Sequence, residues 1–401
     1  MLRGVLVFVI VLLDLTPLDT PSRHRGPGRY LRELALGLGE LAGNEMGDLR
    51  VLGLTSLGLD GSYQVTDDPR SFQGSPDRRS PTAKDHYHWA YARRLGLFRA
   101  LKAIGADAVH LGDPNATANF VGPRCKVIVT CHDAIPARYP SKYFGVLDGG
   151  PAIGLAIERR RYRRADLVVA ISDATRDDAR SYLRVPDDRM VRIYNGVDVS
   201  GWARPPAVSS EEVLAKHGLS GRAFFLYVGA SDWHKNIDGM LAGFARARAQ
   251  ESEMVLAWAG KLRPDHAAQV DDLAAGLGIG NAVRRLGFVD DAELGVLYRA
   301  ARAHVLLSWC EGFGLTVVEA MACGCPVLTT RGGSLGEVVG DAALTVDPAD
   351  PIGIGEALVR LAREVALRSD LSRRGQERAP RFSRAVQARE MARAYRTLLG
   401  V

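Results

Sequence analysis

Apolar residues recur along the chain in short unbroken runs, and most of the segments between them carry apolar residues at helical spacing. Strands that are covered by helices on both faces read as such runs, so the pattern predicts parallel β-sheet. The predicted strands of the first half span 5–13, 49–54, 108–111, 127–131, 167–171 and 190–193, and those of the second half span 224–228, 254–259, 283–286, 304–307 and 326–329. Helices are predicted between most of them, for example at 30–41, 172–182 and 237–250. This alternation predicts the α/β class.

A change of composition divides the pattern into two halves. Residues 196–207 contain Gly, Pro and Ser without a clear period, which predicts a linker near 197–217. About six strands on each side suit two Rossmann-like domains. Residues 57–85 are polar and rich in Asp, Arg, Ser and Pro, and we interpret them as a mobile surface loop. We place the domains at 1–200 and 201–380, and we expect the helix at 381–401 to pack on the first domain.

The apolar run at 5–13 has two interpretations. It follows Arg3 like the core of a signal peptide, but it is too short to span a bilayer. The sequence Asp14-Leu15-Thr16-Pro17 follows it instead of a cleavage site with small residues. We therefore favour a buried first strand over a targeting segment.

Composition limits the classes of function. A length of 401 residues with 47% hydrophobic residues is enough for two domain cores. The net charge of +6 favours anionic partners, but no motif for binding nucleic acid accompanies it. Five cysteines are too few for a disulfide framework and indicate a reducing compartment, so we expect a cytoplasmic protein. Cys323 and Cys325 lack a second pair, and we interpret them as structural rather than as metal ligands.

A basic run precedes the strand predicted at 167–171. It is either a solvated helix face, which we favour, or a patch that attracts anionic lipid head groups or a phosphorylated acceptor. The second interpretation predicts peripheral contact with the inner face of a membrane. The run consists of Arg159, Arg160, Arg161, Arg163 and Arg164.

Two glutamates bracket a glycine-rich loop in the second half. Glu311 and Glu319 flank Gly312-Phe313-Gly314, and a helix is predicted at 317–321. The N-terminus of a helix offers N–H groups to an anion, and carboxylates accept hydrogen bonds from hydroxyl groups. We interpret the segment as half of a nucleotide-sugar site, with Glu311 in the loop and Glu319 in the helix. The alternative is a carboxylate that stabilises the helix dipole and a solvated glutamate.

Three further motifs follow predicted strands. Gly28 lies in a Gly-Pro-Gly segment after the first strand, where glycine allows close approach of a ligand or merely forms a turn. His132 and Asp133 follow the strand at 127–131, at the end that faces the ligand crevice in open α/β sheets. They are either a substrate-orienting pair or a capped loop with a surface histidine. Lys235 follows the strand at 224–228 and is either a phosphate ligand or solvated.

Together these motifs resemble the retaining glycosyltransferases of family 4, which have the GT-B fold. The resemblance covers nearly the whole chain. It implies two Rossmann-like domains that face each other across a deep cleft, the first for the acceptor and the second for the donor. Within the family the segment 129–140 is most similar to bacterial mannosyltransferases of polysaccharide and O-antigen assembly. The residues that carry the resemblance span 165–172, 194–198, 286–289 and 311–324.

The resemblance implies a role for each matched position. Glu311 binds hydroxyl groups of the donor sugar at the reaction centre, Glu319 binds those of the ribose, and Lys235 binds the diphosphate. His132 orients the donor sugar or the acceptor. The implied catalytic residues are Glu311, His132 and Lys235, and the implied donor-binding residues are Gly28, Asp133, Lys235, Gly312, Phe313, Gly314, Leu315, Thr316, Glu319 and Phe288.

The resemblance also implies a reaction. A hexose, with mannose favoured, moves from GDP-mannose or a UDP-sugar to a glycan, glycolipid or secondary-metabolite acceptor, with retention and without a metal or other cofactor. Ala230 and His234 stand where many members carry an arginine, so the diphosphate depends more on Lys235. A GT-B sugar-nucleotide isomerase, a phosphorylase, and a non-catalytic protein that binds sugar nucleotides remain alternatives.

Overall fold

The chain folds into two compact units, Met1–Val197 with Phe382–Val401, and Asp198–Arg381. The computed structural model describes residues 8–19, 23, 25–41, 45–58, 62–71, 86–113, 125–145 and 150–401, without the side chains of 86–94. The chain passes from one unit to the other twice, after Val197 and after Arg381. Each unit is therefore described separately.

The first unit contains a seven-stranded sheet in the order β3-β2-β1-β4-β5-β6-β7. All neighbouring strands are parallel except β2 and β3. The strands are β1 (Val9–Asp14), β2 (Leu49–Leu57), β3 (Tyr63–Thr66), β4 (Ala108–Leu111), β5 (Lys126–Cys131), β6 (Leu167–Ala170) and β7 (Met190–Arg192). The helices are α1 (Gly26–Glu40), α2 (His86–Ile104), α3 (Ile135–Arg138), α4 (Pro140–Tyr143), α5 (Gly150–Tyr162) and α6 (Asp173–Asp178), which continues into a π-helical turn at Ala179–Leu183.

The second unit contains a six-stranded parallel sheet in the order β10-β9-β8-β11-β12-β13. Helices follow or precede every strand. The elements are α7 (Val199–Ala203), α8 (Ser210–Lys216), β8 (Phe224–Val228), α9 (Ile237–Arg248), β9 (Val255–Ala259), α10 (Pro264–Gly276), β10 (Val283–Gly287), α11 (Asp291–Ala300), β11 (Ala303–Leu306), α12 (Leu315–Ala322), β12 (Val327–Thr329), α13 (Leu335–Val339), β13 (Leu344–Thr345), α14 (Pro351–Arg363) and α15 (Val365–Arg378).

The last helix, α16 (Arg384–Leu399), belongs to the first unit and packs against α1. The Ser383 hydroxyl caps its N-terminus by accepting from the N–H of Val386. Contact between the two helices is close at Gly37, where a Cβ atom would lie 2.8 Å from the Arg384 carbonyl oxygen. A larger residue at position 37 would therefore push the helices apart. The buried residues of α16 form one face, Gln387, Ala388, Met391, Ala392 and Tyr395.

The eleven predicted strands are all present, with ends that differ by a few residues. The first begins at Val9, and residues 5–7 lie outside the described ranges. Two strands were not predicted. Part of the supposed loop at 57–85 is β3, which pairs antiparallel with β2 at the sheet edge. An edge strand packs with one partner only and needs fewer apolar residues, so its polar sequence misled the prediction. The other, β13, has two residues.

The predicted linker at 197–217 begins where the chain passes between the units, but it is not an irregular segment. Two short helices occupy it, and each is capped by a side chain. The Asp198 carboxylate accepts from the Gly201 N–H at 2.9 Å, and the Ser209 hydroxyl accepts from the Glu212 N–H at 3.3 Å. These are N-cap signatures that a search for apolar periodicity does not detect.

The five cysteines are free thiols, and four of them are buried. The Cys323 sulfur lies 3.4 Å from both the Trp202 carbonyl oxygen and the Arg299 guanidinium. Burial raises its pKa to about 12, and burial likewise raises the pKa of Cys131 and Cys325. These thiols are therefore protonated packing groups at neutral pH.

None of the helices in the described ranges has the length and the apolar composition that crossing a lipid bilayer requires.

Candidate active site

The strand order of the second unit places a crevice between β8 and β11. From this neighbouring pair the chain leads outward in both directions, to β9 and β10 on one side and to β12 and β13 on the other. In open α/β sheets ligands bind at the carboxyl ends of the strands at such a switch point. Here Lys235, after β8, meets Glu311, after β11, with 2.6 Å between Nζ and Oε1. The sequence-predicted phosphate ligand and sugar ligand are thus in direct contact.

Backbone contacts on both sides hold Lys235 in place. It ends a 3₁₀ turn that begins at Trp233, and Asn236 follows in the left-handed conformation with φ of 52°. The Asn236 amide donates to the Pro348 carbonyl at 2.8 Å. The Trp309 N–H donates to the His234 carbonyl at 2.8 Å, which ties this loop to the loop after β11. The ammonium group is therefore presented from a fixed backbone.

Glu311 is a buried carboxylate, 8% exposed. Its Oε1 accepts from Lys235 and, at 2.6 Å, from the Ser308 hydroxyl. Burial by itself raises the pKa of Glu311, but the charges of Lys235 and His234 and the two hydrogen bonds outweigh burial, so the pKa lies below its usual value. Glu311 is therefore ionised at neutral pH and still has acceptor capacity on its second oxygen.

Glycines make room for the loop around Glu311. Gly314 begins α12 with φ of +95°, and a Cβ atom there would lie 2.9 Å from Leu335 Cδ2. Gly333, with φ of +61°, approaches so closely that a Cβ atom would lie 2.3 Å from the Glu311 carbonyl oxygen. The N–H groups of Leu315 and Thr316 open α12 and have no acceptor within the helix, so they can bind an anion.

Glu319 lies in the second turn of α12 and is 1% exposed. The Tyr298 hydroxyl donates to its Oε2 at 3.4 Å. The alternative of a solvated helix glutamate is therefore wrong for Glu319. Glu311 lies in the loop and Glu319 in the helix, as the glycines predicted.

His304 lies on β11 and contacts the start of α12. It was not identified as a site residue from the sequence. Its Nδ1–H donates to the Leu226 carbonyl at 3.0 Å, which leaves Nε2 to accept from the Thr316 hydroxyl at 3.2 Å. Burial lowers the pKa of His304 to about 4; the hydrogen bond to Leu226 opposes this, and the charge of Lys235 adds a smaller lowering. The histidine is therefore neutral and fixes the orientation of Thr316. A histidine inside the apolar run 303–307 was the available signal.

The ends of β8, β9 and β10 form a floor without side chains. Gly229 and Gly260 both have φ near +150°, and a Cβ atom on Gly260 would lie 2.2 Å from the Gly229 carbonyl oxygen. The Gly260 N–H donates to the Gly287 carbonyl at 2.8 Å. Phe288 follows directly and is 64% exposed. A flat ligand group can therefore approach the backbone here.

In the first unit the strand order places the corresponding switch between β1 and β4. Two buried acids that the sequence analysis missed lie at the carboxyl ends of these strands: Asp14 ends β1, and Asp113 lies two residues after β4. Asp14 Oδ1 accepts from the N–H of Thr16 at 3.0 Å and from its hydroxyl at 2.6 Å. An acid that closes an apolar strand was the signal.

His132 has a defined tautomer in this unit. Its Nε2 lies 2.6 Å from the Gly112 carbonyl oxygen, which can only accept, so Nε2 carries the proton. Burial lowers the pKa of His132, opposed by Asp113, the Gly112 hydrogen bond and Asp133. The neutral ring therefore keeps the Nδ1 lone pair for a ligand hydroxyl. It is part-buried rather than a surface histidine.

Two other predicted residues accompany His132 in the first unit. Asp133 Oδ1 accepts from the Ile135 N–H at 2.9 Å and so starts the turn into α3. Gly28 lies buried in the first turn of α1 rather than in a turn before it, because the helix begins at Gly26. Lys235, Glu311, Gly312–Thr316, Glu319 and Phe288 all lie in the second unit.

Two family models match the chain. Residues 25–200 match the model "Glycosyltransferase Family 4", and residues 209–378 match "Glycosyl transferases group 1". The two ranges cover the main part of both units.

Named relatives point in the same direction. The chain is 32% identical over 238 residues to the O-antigen chain mannosyltransferase B of Escherichia coli, covering 58% of this chain and 61% of that one. It is 26% identical over 279 residues to the serotype-specific mannosyltransferase WbdA of Escherichia coli, covering 68% and 34%. The chain thus spans less than two thirds of these relatives' length.

A solved structure shares the fold. The crystal structure of Anabaena Alr3699/HepE in complex with UDP-glucose superposes with a TM-score of 0.73 at 17% identity, covering 97% of this chain and 99% of that one.

Proposed function

Because the chain belongs to the family 4 glycosyltransferases and has the GT-B fold, we propose that it is a retaining enzyme that moves a hexose from a nucleoside diphosphate sugar to an acceptor. Mannose is the favoured sugar, and the acceptor is a glycan, a glycolipid or a secondary metabolite. The observation that carries the proposal is the contact of Lys235 with Glu311 at the switch point of the second sheet. It combines a cation for the diphosphate with a carboxylate for sugar hydroxyls in one place.

In this proposal the second unit binds the donor. Lys235 and the N–H groups of Gly312 to Thr316 bind the diphosphate, and they stabilise the negative charge that grows on it as the anomeric C–O bond breaks. Glu311 accepts hydrogen bonds from the sugar, and Glu319 from the ribose. The glycine floor takes the nucleobase next to Phe288.

The first unit supplies the acceptor side. His132 offers its Nδ1 lone pair to a hydroxyl of the acceptor or of the donor sugar, while Gly112 holds the other ring nitrogen. Gly28 and Asp133 border the same site. Because Lys235 and the N–H groups carry the phosphate charge in this proposal, transfer proceeds without an added divalent cation. Loss of transfer in a chelator, restored by Mg²⁺ or Mn²⁺, would contradict that part.

The donor is identified by a panel of nucleotides. The relatives named mannosyltransferases support a mannosyl donor, whereas the solved neighbour holds UDP-glucose, so GDP and UDP are the first two to compare. A nucleotide at 100 times its dissociation constant stabilises the folded protein by about 2.7 kcal/mol. We expect one of the two to raise the melting temperature clearly more than AMP or CMP do. Release of that nucleotide from its hexose donor, dependent on an added acceptor, then tests transfer.

Three other activities are distinguished by the same assay. An isomerase would convert the donor without an acceptor, a phosphorylase would require inorganic phosphate, and a binding protein would bind the nucleotide and release nothing. The ionised, hydrogen-bonded Glu311 and the buried Glu319 support an intact catalytic site over a degenerate one.

We also propose that α5 contacts an anionic membrane from the cytoplasmic side. Ile153 and Ile157 are 54% and 45% exposed, and Arg160 continues the same stripe of the helix. Apolar side chains beside arginines suit the interface of an anionic leaflet.

Only part of the basic run is available for this contact. Arg159 donates to the Tyr182 carbonyl at 2.9 Å and Arg161 pairs with Glu158, whereas Arg160, Arg163 and Arg164 are exposed. We expect the double variant Ile153→Ser, Ile157→Ser to bind vesicles with phosphatidylglycerol more weakly than the wild type. Ile352→Ser, at an equally exposed isoleucine of the second unit, is the matched control. Equal binding by all three proteins would contradict the proposal.

A further inference from the structure

A chain of four buried polar side chains crosses the first unit from α16 to α1. The Tyr395 hydroxyl lies 2.6 Å from His110 Nδ1, and His110 Nε2 lies 2.8 Å from the Thr130 hydroxyl. The Thr130 hydroxyl lies 2.8 Å from the Tyr30 hydroxyl. All four side chains are fully buried. The chain thus links α16, β4, β5 and α1 in one hydrogen-bonded line.

The protonation of His110 links the donor and acceptor roles along the line. Burial, with a smaller effect of His132, lowers the pKa of His110 to about 3, so the ring is neutral and has one N–H. One ring nitrogen donates and the other accepts. If His110 donates to Tyr395 it must accept from Thr130, and if it accepts from Tyr395 it must donate to Thr130. A change in the hydrogen bond at one end of the line therefore changes the hydrogen bond at the other end.

The residues of the line lie next to the groups that contact the His132 ring. His110 lies two residues before Gly112, whose carbonyl holds Nε2 of His132, and Thr130 lies two residues before His132 itself. The Tyr30 ring meets the His132 ring edge-on, with 5.0 Å between centroids and 83° between planes. Tyr30, which packs against the ring, is thus a member of the line, and Gly112, which holds Nε2, lies two residues from His110.

We propose that the line Tyr395–His110–Thr130–Tyr30 positions the His132 ring, so that the C-terminal helix takes part in orienting a residue of the reaction site. Tyr395 and Tyr30 are positioning residues here, not catalytic ones. An effect on activity rests on the proposed function of His132. The orientation and the tautomer of the ring do not, because both can be observed directly.

A purely structural role for Tyr395 is the competing explanation. Apolar contacts also hold α16, and Met391 lies one turn earlier on the same buried face. Met391→Leu changes this packing without touching the line, so it is the matched control for Tyr395→Phe. Tyr30→Phe removes the hydroxyl at the other end and keeps the ring against His132.

The first measurement is the side-chain ¹⁵N spectrum of the histidines in the full-length protein. We expect the His132 signals to move in Tyr395→Phe and in Tyr30→Phe, and to stay in place in Met391→Leu. Unchanged His132 signals in both tyrosine variants, in proteins that remain folded, would overturn the inference.

The second measurement is transfer activity with and without His132. We expect Tyr395→Phe to lower kcat by about threefold to tenfold and to leave KM for the donor unchanged. In the His132→Ala background the same substitution should have no further effect, because the residue it positions is gone. An equal loss in both backgrounds would overturn the inference. If the His132 signals move and kcat does not, positioning holds and the catalytic role of His132 fails.

Discussion

The carboxyl ends of the two sheets carry polar residues of different kinds. In the second unit the switch point holds an ion pair, Lys235 with Glu311, and the first N–H groups of α12, which can bind an anion. In the first unit a neutral histidine, His132, follows β5, one strand from the switch point; its Nε2 bonds to the Gly112 carbonyl after β4, and its ring packs against the Tyr30 ring. The carboxyl ends of the sheets thus present an ion pair at the switch point of the second unit and an oriented, hydrogen-bonded imidazole beside that of the first.

For the proposed transfer reaction, this difference predicts separate tasks for the two groups of residues. Charged groups can hold a diphosphate and follow the charge that builds on it. A neutral imidazole of fixed tautomer can orient a hydroxyl group without competing for that charge. Substitutions of the charged pair should therefore lower turnover and nucleotide affinity, whereas substitution of His132 should lower turnover and leave nucleotide affinity almost unchanged.

The largest effect is expected at Glu311. Glu311→Gln keeps the shape but removes the charge and one acceptor, and we expect transfer to fall by about 10²- to 10³-fold. Glu356→Gln, an exposed glutamate of the same unit, is the control. The measurement is kcat with saturating donor. Wild-type turnover in Glu311→Gln would contradict the proposed role of Glu311 in transfer.

Lys235→Ala should act on binding more than on the fold of the site. We expect nucleoside diphosphate affinity to fall by about tenfold to 100-fold, because the point charge is lost. The variant also leaves the Glu311 carboxylate buried without its cation, which costs about 1–3 kcal/mol of stability.

The double variant Lys235→Ala, Glu311→Gln separates these effects. It should recover part of the lost stability, since no unpaired charge remains, but none of the affinity. Titration calorimetry and chemical denaturation measure the two quantities. Strictly additive losses of stability would show that the pair is not coupled.

His132→Gln tests the first unit. A glutamine amide can still donate to Gly112, but it lacks the ring lone pair, so we expect kcat to fall about tenfold to 100-fold. Nucleotide affinity should stay within twofold of the wild type if the division between the units holds. Loss of affinity as large as that of Lys235→Ala would contradict the comparison.

The smallest expected effect is a pH dependence of stability. The folded pKa values of His110 and His304, about 3 and about 4, lie below the ordinary 6.5. Below pH 6.5 the unfolded chain binds protons that the folded protein does not, so stability is complete above pH 6.5 and is lost as pH falls. Between its folded pKa and 6.5, each histidine adds a loss on the order of 1 kcal/mol per pH unit.

The two contributions can be assigned to their units. Four of the five tryptophans, at positions 202, 233, 258 and 309, lie in the second unit, so intrinsic fluorescence mainly follows that unit. His304→Gln should flatten the pH dependence of the fluorescence-detected transition, whereas His110→Asn should leave it steep. A pH-independent wild type between pH 6.5 and pH 5 would rule out both neutral histidines.

The sequence predicted the strands because a buried strand leaves an unbroken apolar run, and it predicted the loop-to-helix change at Gly314 because glycine marks it. Edge strand β3 left no such run. The caps Asp198 and Ser209 left a local signal that was passed over.

The sequence did not predict which residues the site residues contact. Ser308 and Lys235 reach the same oxygen of Glu311 although 73 residues separate them in the chain, a contact set by strand order. His132 with Gly112, and Tyr395 with His110, likewise depend on which strands and helices become neighbours. Apolar periodicity predicts which face of a helix or strand is buried, but not which other element packs against that face. It therefore could not predict these residue pairs.

If the chain binds a nucleotide as proposed, the ion pair at the second switch point makes that binding an exchange of counter-ions. A diphosphate that takes the Lys235 ammonium removes the main opposing charge from Glu311, while burial continues to favour the protonated acid. Binding is then coupled to proton uptake, which increases as the pH falls towards the pKa of Glu311. Calorimetry in buffers of different ionisation enthalpy would measure that uptake, and Glu311→Gln would abolish it.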